Sequence, residues 1–284
     1  MPSDLLSALG VARPCAGCRG PGGPWCRACA TTVAGPAAYA ELRPWPVGLP
    51  PVTASAVYAG PLREALVAFK DHGRWSLRPV LGAAVAVAVA GLLVDLPTLP
   101  DEVTLVPVAG SPGSVRSRDG DHVRELAAAA AQALRRVGVD VRVRALLVPA
   151  RRRADQVGLG RAERALNLHG SMRPVAGAAR ARGVVLVDDL TTTGATLAEA
   201  ARALRSAGCV PLGGSVVAAT RTRPAAGCAP ADGGVPARRL RASLECQAHR
   251  ARRGQSGLCW SLWHPSGSVV ASPKGFRSPE LPGG

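Results

Sequence analysis

One segment of the sequence, residues 184–196, combines two acids with a threonine-rich turn. It reads VVLVDDLTTTGAT: an apolar run, the adjacent carboxylates Asp188 and Asp189, and threonines around Gly194. Because the apolar run predicts a buried strand, the acids are expected at its carboxyl end. Helix capping explains one acid or one threonine in such a turn, but not two acids and four threonines in nine residues.

The turn is predicted to open a helix and therefore to bind an anion. Free backbone amides and the partial positive charge of a helix N-terminus favour a phosphate. Hydroxyl groups add donors, and a glycine lets the backbone close around the ligand. The two acids suit sugar hydroxyls or a Mg²⁺ ion, so phosphate plus diol indicates a ribose 5-phosphate. The residues of this phosphate turn are Thr191, Thr192, Thr193, Gly194, Ala195 and Thr196.

Two other classes of phosphate-handling protein fit the segment less well. A phosphoacceptor domain of the two-component type also places acids at strand ends, but it does not need the TTTGAT turn. A Walker-type nucleotide loop is excluded, because the sequence contains no GK[ST] motif.

Near the N-terminus, four cysteines form two CxxC pairs, Cys15 with Cys18 and Cys26 with Cys29. Two such pairs supply the four thiolates of a tetrahedral structural zinc site. The alternatives are a redox pair, a disulfide staple and an iron–sulfur site. A redox pair does not need a twin, and a reducing cytoplasm disfavours disulfides. The cysteines without ligand spacing are Cys209, Cys228, Cys246 and Cys259.

The elements that must position these motifs alternate between strand-like and helix-like patterns from about Val52. Predicted strands cover 53–60, 103–110, 141–150, 183–189 and 211–220. Predicted helices cover 61–73, 79–94, 121–138 and 195–209. This alternation predicts an α/β fold with a parallel sheet and helices on both faces. In such sheets the ligand lies at the carboxyl ends of the strands.

Length and composition predict one main core with two appendages. The chain has 284 residues, more than one average domain but few for two large ones. We predict a zinc-binding module at 1–40, an α/β domain at 41–221 and a tail at 222–284. The tail has scattered Pro, Gly, Arg and Cys without a sustained period, which predicts disorder. A folded accessory module is the alternative for the tail.

The chain is strongly basic, with a formal net charge of +16. Lys70 and Lys274 are the only lysines, so nearly all of the positive charge comes from arginine. Arginine suits bidentate phosphate contacts, but arginine with abundant alanine and glycine equally reflects a biased genome. The charge is therefore compatible with a polyanionic ligand without requiring one.

No segment has the pattern of a targeting signal or a membrane anchor. The N-terminal residues carry an acid at Asp4 and only a short apolar stretch. The most apolar run, 79–94, has 16 uncharged residues and is rich in alanine, whereas a membrane span needs about 20 strongly apolar residues. We therefore predict a buried helix in this run and a cytoplasmic protein.

The motifs together resemble a known protein family. VVLVDDLTTTGAT resembles the diphosphoribosyl-binding signature of the type I phosphoribosyltransferases, in which the acid pair meets the ribose hydroxyls and the turn holds the 5-phosphate. With the two CxxC pairs, the resemblance narrows to the ComF family over residues 10–221. The further segments that carry it are 58–73, 106–127 and 151–172.

This resemblance implies the type I phosphoribosyltransferase fold, phosphoribosyl diphosphate with Mg²⁺ as ligand, and catalytic roles for Asp188 and Asp189. It also implies a pyrophosphate loop and a flexible hood over the active site. The residues concerned are Val108, Ala109, Gly110, Arg116, Arg118, Arg151, Arg152 and Arg153. The hood arginines are expected to neutralise departing pyrophosphate; a solvated basic loop is the alternative.

One departure from the family pattern leaves two functional classes. Purine-salvage relatives carry an acid in the turn that handles a base proton, where this chain has Thr192. The first class is a transferase that moves phosphoribosyl to a nitrogen acceptor. The second is a non-catalytic competence module that binds single-stranded DNA and works with DNA-uptake proteins in natural transformation. His122 and His169 have no sequence partner and are interpreted as surface or helix residues.

Overall fold

A computed structural model describes residues 14–108, 121–150 and 168–224 and has a mixed α/β fold. Its strands are β1 (Ala38–Ala40), β2 (Val52–Val57), β3 (Val103–Pro107), β4 (Val141–Val143), β5 (Leu147–Pro149), β6 (Met172–Pro174), β7 (Val184–Thr191), β8 (Gly213–Ala219) and β9 (Thr222–Pro224). Its α-helices are α1 (Arg27–Ala30), α2 (Gly60–Asp71), α3 (Arg78–Val94), α4 (His122–Arg136) and α5 (Ala195–Arg205). Short 3-10 helices cover Thr31–Val33, Trp75–Leu77 and Ala178–Arg180.

Seven strands form the main sheet, in the order β4-β3-β7-β8-β2-β1-β9. The five strands from β4 to β2 run parallel, β1 pairs antiparallel with β2, and β9 pairs antiparallel with β1. The predicted α/β class and its mostly parallel sheet are therefore confirmed. The two antiparallel strands, β1 and β9, have only three residues each, which is too short for a periodic pattern in the sequence.

Strand β7 shows how helices cover both faces of the sheet. Val185 and Val187 belong to a core cluster with side chains of α2, α3 and α4, whereas Val184 and Leu186 belong to a second cluster with α5. Successive residues of a strand point to opposite faces. The same alternation directs Asp189 toward the side of α2 and α4 and Asp188 toward the opposite side.

Helix α3 is the apolar run of the sequence. By length and composition alone, one helical segment of the described residues, Trp75–Val94, is apolar enough to cross a membrane, and 56% of its most apolar window is buried inside the protein. It packs against α4, β2 and β8. Such burial is typical of a core helix.

Three segments differ from their predicted extents. The predicted strand at 141–150 is divided into β4, in the main sheet, and β5, which pairs antiparallel with β6 in a separate two-stranded sheet. The chain leaves the main sheet at the exposed Arg144 and Ala145. Strand β7 continues past the acids to Thr191, and β9 extends the sheet three residues beyond the boundary set at 221. The remaining tail, 225–284, lies outside the described residues.

A buried acid ties the two-stranded sheet to α5. Glu199 Oε1 accepts hydrogen bonds from Met172 N at 3.0 Å and from Arg202 Nη2 at 2.9 Å, and Oε2 accepts from Arg202 Nε at 2.7 Å. Burial raises the pKa of Glu199, but the Arg202 guanidinium and the Met172 amide outweigh it and lower the pKa below its usual value. The charged form of Glu199 is therefore the stabilising one.

Glu199→Gln is expected to lower the free energy of unfolding by about 2 kcal/mol, because it weakens charge-assisted hydrogen bonds at a buried position. Since the folded-state pKa of Glu199 is lowered, the stability difference from wild type is full above the unfolded pKa of about 4.3 and disappears as the pH falls through the folded value. Urea unfolding at several pH values measures it. The exposed Glu64→Gln is the control; equal losses from both variants would contradict the prediction.

Candidate functional site

The four predicted zinc ligands form one cluster. The sulfur atoms of Cys15, Cys18, Cys26 and Cys29 all lie within 4.8 Å of one another, with Cys18 Sγ 3.5 Å from Cys26 Sγ. A tetrahedral zinc ion bound at about 2.3 Å by each sulfur requires sulfur atoms at similar separations. The cluster is therefore close enough to hold a zinc ion, as the double CxxC pattern predicts.

The electrostatics of the cluster favour a cation. Burial raises the pKa of the Cys15 thiol, but the amides of Cys18, Cys26 and Gly17 outweigh it and bring the pKa to about 6. Burial and the neighbouring thiols raise the pKa of Cys29 far above its usual range. Four thiolates this close repel one another unless a cation lies between them. The donor set thus fits a divalent metal that prefers sulfur.

This cluster packs directly on the first turn of α2. A Cβ atom on Gly17 would lie 2.7 Å from Pro61 Cβ and 2.9 Å from Cys29 Sγ, so a larger residue does not fit there. Trp25 and Cys29 are buried in the same core cluster as Leu62 of α2. The cysteine cluster is thus continuous with the core under one face of the sheet.

At its last turn, α2 reaches the acid pair. Lys70 Nζ lies 2.8 Å from Asp189 Oδ2. From the first turn of α4, His122 Nε2 lies 3.2 Å from the same oxygen, at an angle outside hydrogen-bond geometry. Both His122 and Asp189 are buried. Three elements, α2, α4 and β7, therefore meet at one carboxylate.

The two acids differ in pKa as well as in the face of the sheet toward which their side chains point. Burial raises the pKa of Asp189, but His122 and Lys70 outweigh it and hold this pKa well below its usual range. Burial and the adjacent Asp189 carboxylate raise the pKa of Asp188 well above its usual range. Asp188 is half-buried, and its Oδ1 accepts a hydrogen bond from Asp189 N at 2.9 Å. Asp189 is the ionised member of the pair and Asp188 the member that takes up a proton first.

The threonine turn opens α5, as predicted. Gly194 is the N-cap with φ of +75°, a conformation that favours glycine. A Cβ atom on it would lie 2.6 Å from Leu42 Cδ1 and 2.7 Å from Leu49 Cδ2. The segment 41–50 therefore closes over one side of the turn and leaves no room for a side chain at position 194.

The hydroxyl groups of the turn differ in exposure. Thr191 is buried and its Oγ1 has no hydrogen-bond partner among the described residues. Thr193 Oγ1 accepts a long hydrogen bond of 3.4 Å from Ala195 N, Thr192 is exposed and Thr196 is half-buried. The first amides of α5 have no partner within the helix. The start of α5 therefore offers backbone amides and the hydroxyl groups of Thr192, Thr193 and Thr196, which are not fully buried.

Of the other predicted site residues, Val108 lies beside the acid pair. Val108 is buried and its amide donates to Val187 O at 2.9 Å, one residue before Asp188. The end of β3 and the end of β7 are therefore adjacent, as parallel strands require. Outside the described residues lie Ala109, Gly110, Arg116, Arg118, Arg151, Arg152 and Arg153.

Lys70 and His122 are the site residues that sequence reasoning missed. His122 lies in a helix, as interpreted, but it is buried and contacts Asp189, which the sequence did not indicate. Its sequence neighbours gave no sign of this, since the contact joins residues 67 positions apart in the sequence. The one available signal was composition: Lys70 is one of only two lysines in a chain that otherwise uses arginine.

A comparison with protein-family models and with curated protein sequences finds no match to this chain.

Proposed function

We propose that this protein binds phosphoribosyl diphosphate with Mg²⁺ at the carboxyl end of β7 and transfers the phosphoribosyl group to a nitrogen acceptor. The observation that carries the proposal is the junction of β7 and α5. Asp188 and the phosphate turn lie within eight residues of each other in the sequence, at the carboxyl end of a parallel strand, where ligands bind in sheets of this type. The resemblance of this segment to the ComF family and to the type I phosphoribosyltransferases supports the same ligand.

The turn suits the 5-phosphate of the sugar. The free amides at the start of α5 and its partial positive charge favour a phosphate dianion. The hydroxyl groups of the exposed Thr192 and the half-buried Thr193 and Thr196 can add hydrogen bonds to the phosphate oxygens. Gly194 has a positive φ that lets the backbone turn into α5 beneath Leu42 and Leu49. These groups would fix the sugar by its phosphate end.

Asp188 suits the ribose end. A carboxyl group beside a sugar diol accepts hydrogen bonds from the hydroxyls and stabilises positive charge that develops on the ring as the bond from C1 to pyrophosphate breaks. Bound Mg²⁺ would neutralise charge on the diphosphate and its leaving group. The main-chain amides of Ala109 and Gly110 are the proposed pyrophosphate contact, since the Val108 amide donates to Val187 O. The acceptor nitrogen then forms a bond to C1 as the bond from C1 to the pyrophosphate oxygen breaks.

The cysteine cluster is proposed to hold a structural zinc ion. The four cysteine sulfurs would fill all four positions of a tetrahedral ion, which would leave no open position for a substrate. Its direct packing on α2 supports a role in the fold. Zinc is therefore assigned to the structure and not to the transfer chemistry.

The direct test is titration of phosphoribosyl diphosphate, with and without Mg²⁺, by isothermal calorimetry. Saturable binding that depends on Mg²⁺ supports the proposal. Release of pyrophosphate with candidate nitrogen acceptors then tests transfer. Absence of binding at millimolar ligand would overturn the proposal.

A second candidate function, binding of single-stranded DNA in natural transformation, is favoured by the surface near the turn. Trp45 is 45% exposed on the segment 41–50, which packs over Gly194, and Arg43 is exposed on the same segment. An exposed aromatic ring beside an arginine suits base stacking and backbone charge. The described residues contain few other exposed aromatic rings, so the phosphoribosyl proposal remains the first.

Replacing the predicted hood arginines separates the two functions. For a transferase, the triple change of Arg151, Arg152 and Arg153 to Ala is expected to lower turnover more than affinity for phosphoribosyl diphosphate, because the hood stabilises departing pyrophosphate. For a DNA-binding module, the same change weakens single-strand binding and flattens its salt dependence, since roughly one counterion is released per neutralised phosphate.

The measurements are steady-state pyrophosphate release and single-strand binding at several salt concentrations. A control with the same loss of charge replaces three exposed arginines elsewhere, Arg63, Arg136 and Arg180, by Ala. If the control variant changes turnover and DNA binding as much as the hood variant does, the prediction is wrong.

A further inference from the structure

The acid pair at the end of β7 is not symmetrical in its surroundings. Asp189 contacts Lys70 of α2 and His122 of α4, and its side chain is 5% exposed. Asp188 contacts its neighbour's amide and is half-buried. Both partners of Asp189 lie on the sheet face covered by α2, α3 and α4, and strand alternation directs Asp188 to the other face.

We infer that the pair is divided between two tasks: Asp189 is an internal counter-ion that Lys70 and His122 hold in place, and Asp188 is the acid that contacts the ligand's sugar. Lys70 and His122 are then positioning residues, since they fix the strand end from which Asp188 projects. The role of Asp188 rests on the proposed function. The counter-ion role of Asp189 does not, because it follows from contacts within the protein.

The energetic basis is the burial of charge. A carboxylate removed from water is costly unless a cation and hydrogen bonds compensate it. At Asp189 a lysine supplies both the cation and a hydrogen bond at 2.8 Å, and His122 packs 3.2 Å from the same oxygen. With its side chain only 5% exposed, Asp189 is shielded from a ligand by the side chains around it, whereas Asp188 is half-buried and has no cation within ion-pair distance among the described residues.

An exposed ion pair with the same nitrogen–oxygen distance provides a matched control. Arg78 Nη1 lies 2.8 Å from Glu125 Oε2, the same distance as between Lys70 and Asp189. The side chains of Arg78 and Glu125 are 53% and 40% exposed, against 31% and 5% for Lys70 and Asp189. Solvent screens the first pair and not the second, so the two pairs differ in burial and not in contact distance.

The first experiment is a double-mutant cycle on urea unfolding, with Lys70→Met and Asp189→Asn. We expect the two residues to be coupled by at least about tenfold in the unfolding equilibrium constant, and Arg78→Met with Glu125→Gln by about twofold or less. Coupling of Lys70 and Asp189 no larger than that of the exposed pair would overturn the counter-ion role. If Lys70→Met does not fold, Lys70→Gln removes the same charge with a smaller change in polarity and completes the cycle with Asp189→Asn.

The second experiment measures affinity for phosphoribosyl diphosphate with Mg²⁺ in each single variant. Asp188→Asn should weaken binding about tenfold or more at nearly unchanged stability. Lys70→Met should weaken both binding and stability. Lys70→Arg keeps the positive charge beside Asp189 and should bind the diphosphate nearly as tightly as wild type. An Asp189→Asn protein that keeps its stability but loses affinity as Asp188→Asn does would overturn the division.

Failure of the proposed function is visible separately. Wild-type protein that does not bind the diphosphate overturns that function and the ligand contact of Asp188 with it. The unfolding cycle still decides whether Asp189 is the counter-ion of Lys70.

Discussion

Cys15→Ser is expected to remove the bound zinc and to loosen the N-terminal part of the core. Wild-type protein should contain about one zinc ion per chain, held by the four clustered cysteines. Structural zinc contributes on the order of 10 kcal/mol to the folding of small cysteine modules near neutral pH. A serine hydroxyl cannot replace the buried thiolate, and the three remaining sulfurs leave one position of the tetrahedron without a protein ligand.

Elemental analysis of purified protein and thermal unfolding with and without a chelator measure this effect. Cys209→Ser is the matched control, because Cys209 is also buried but lies in the other core cluster. The control should keep its zinc and lose only packing energy. Zinc that remains at one ion per chain in Cys15→Ser, or that is absent from wild type, would show that the cluster does not serve as a zinc site.

The second large effect is expected at the acid pair. Asp188→Asn combined with Asp189→Asn should weaken binding of phosphoribosyl diphosphate with Mg²⁺ by at least about an order of magnitude, since charge-assisted hydrogen bonds are worth roughly 1.5 to 3 kcal/mol each. The loss has two expected causes. The proposed hydrogen bonds from the ribose hydroxyls to the Asp188 carboxylate are weakened, and Lys70 loses its buried ionic partner.

Calorimetric titration of the double variant measures the loss, with thermal unfolding recorded beside it. A second adjacent acid pair, Asp101 and Glu102, precedes β3. It therefore lies at the amino ends of the parallel strands, away from the carboxyl ends where Asp188 and Asp189 lie. Asp101→Asn with Glu102→Gln removes the same charge away from the site and should leave the affinity unchanged. Unaltered affinity in the double variant at 188 and 189 would mean that the pair serves the fold alone.

Local patterns predicted the features that depend on adjacent residues. The double CxxC spacing predicted a cysteine cluster, because each pair needs only its own tight turn to bring two sulfurs together. The apolar run before the acids predicted β7, and the threonine turn predicted the start of α5. In each case the residues that cause the structure are near neighbours in the chain.

Contacts between distant segments could not be predicted in the same way. Lys70 and Asp189 are 119 residues apart in the sequence, and the sequence around neither residue indicates that the two are in contact. The short antiparallel strands β1 and β9 form because their backbone groups pair with each other and β1 pairs with β2, and three residues are too few to show a period in the sequence. The split of 141–150 into β4 and β5 depends on β6, more than 20 residues later, to which β5 pairs.

Helix α2 joins the two candidate centres of the molecule. Its first turn rests on the cysteine cluster and its last turn supplies Lys70, and 12 residues of helix span about 18 Å. A helix transmits displacement along its axis because its backbone hydrogen bonds resist stretching. A zinc ion that stabilised the packing of α2 would therefore also act on the helix that carries Lys70, and reciprocity would then require a ligand bound beside Lys70 to change the affinity for the metal by the same factor.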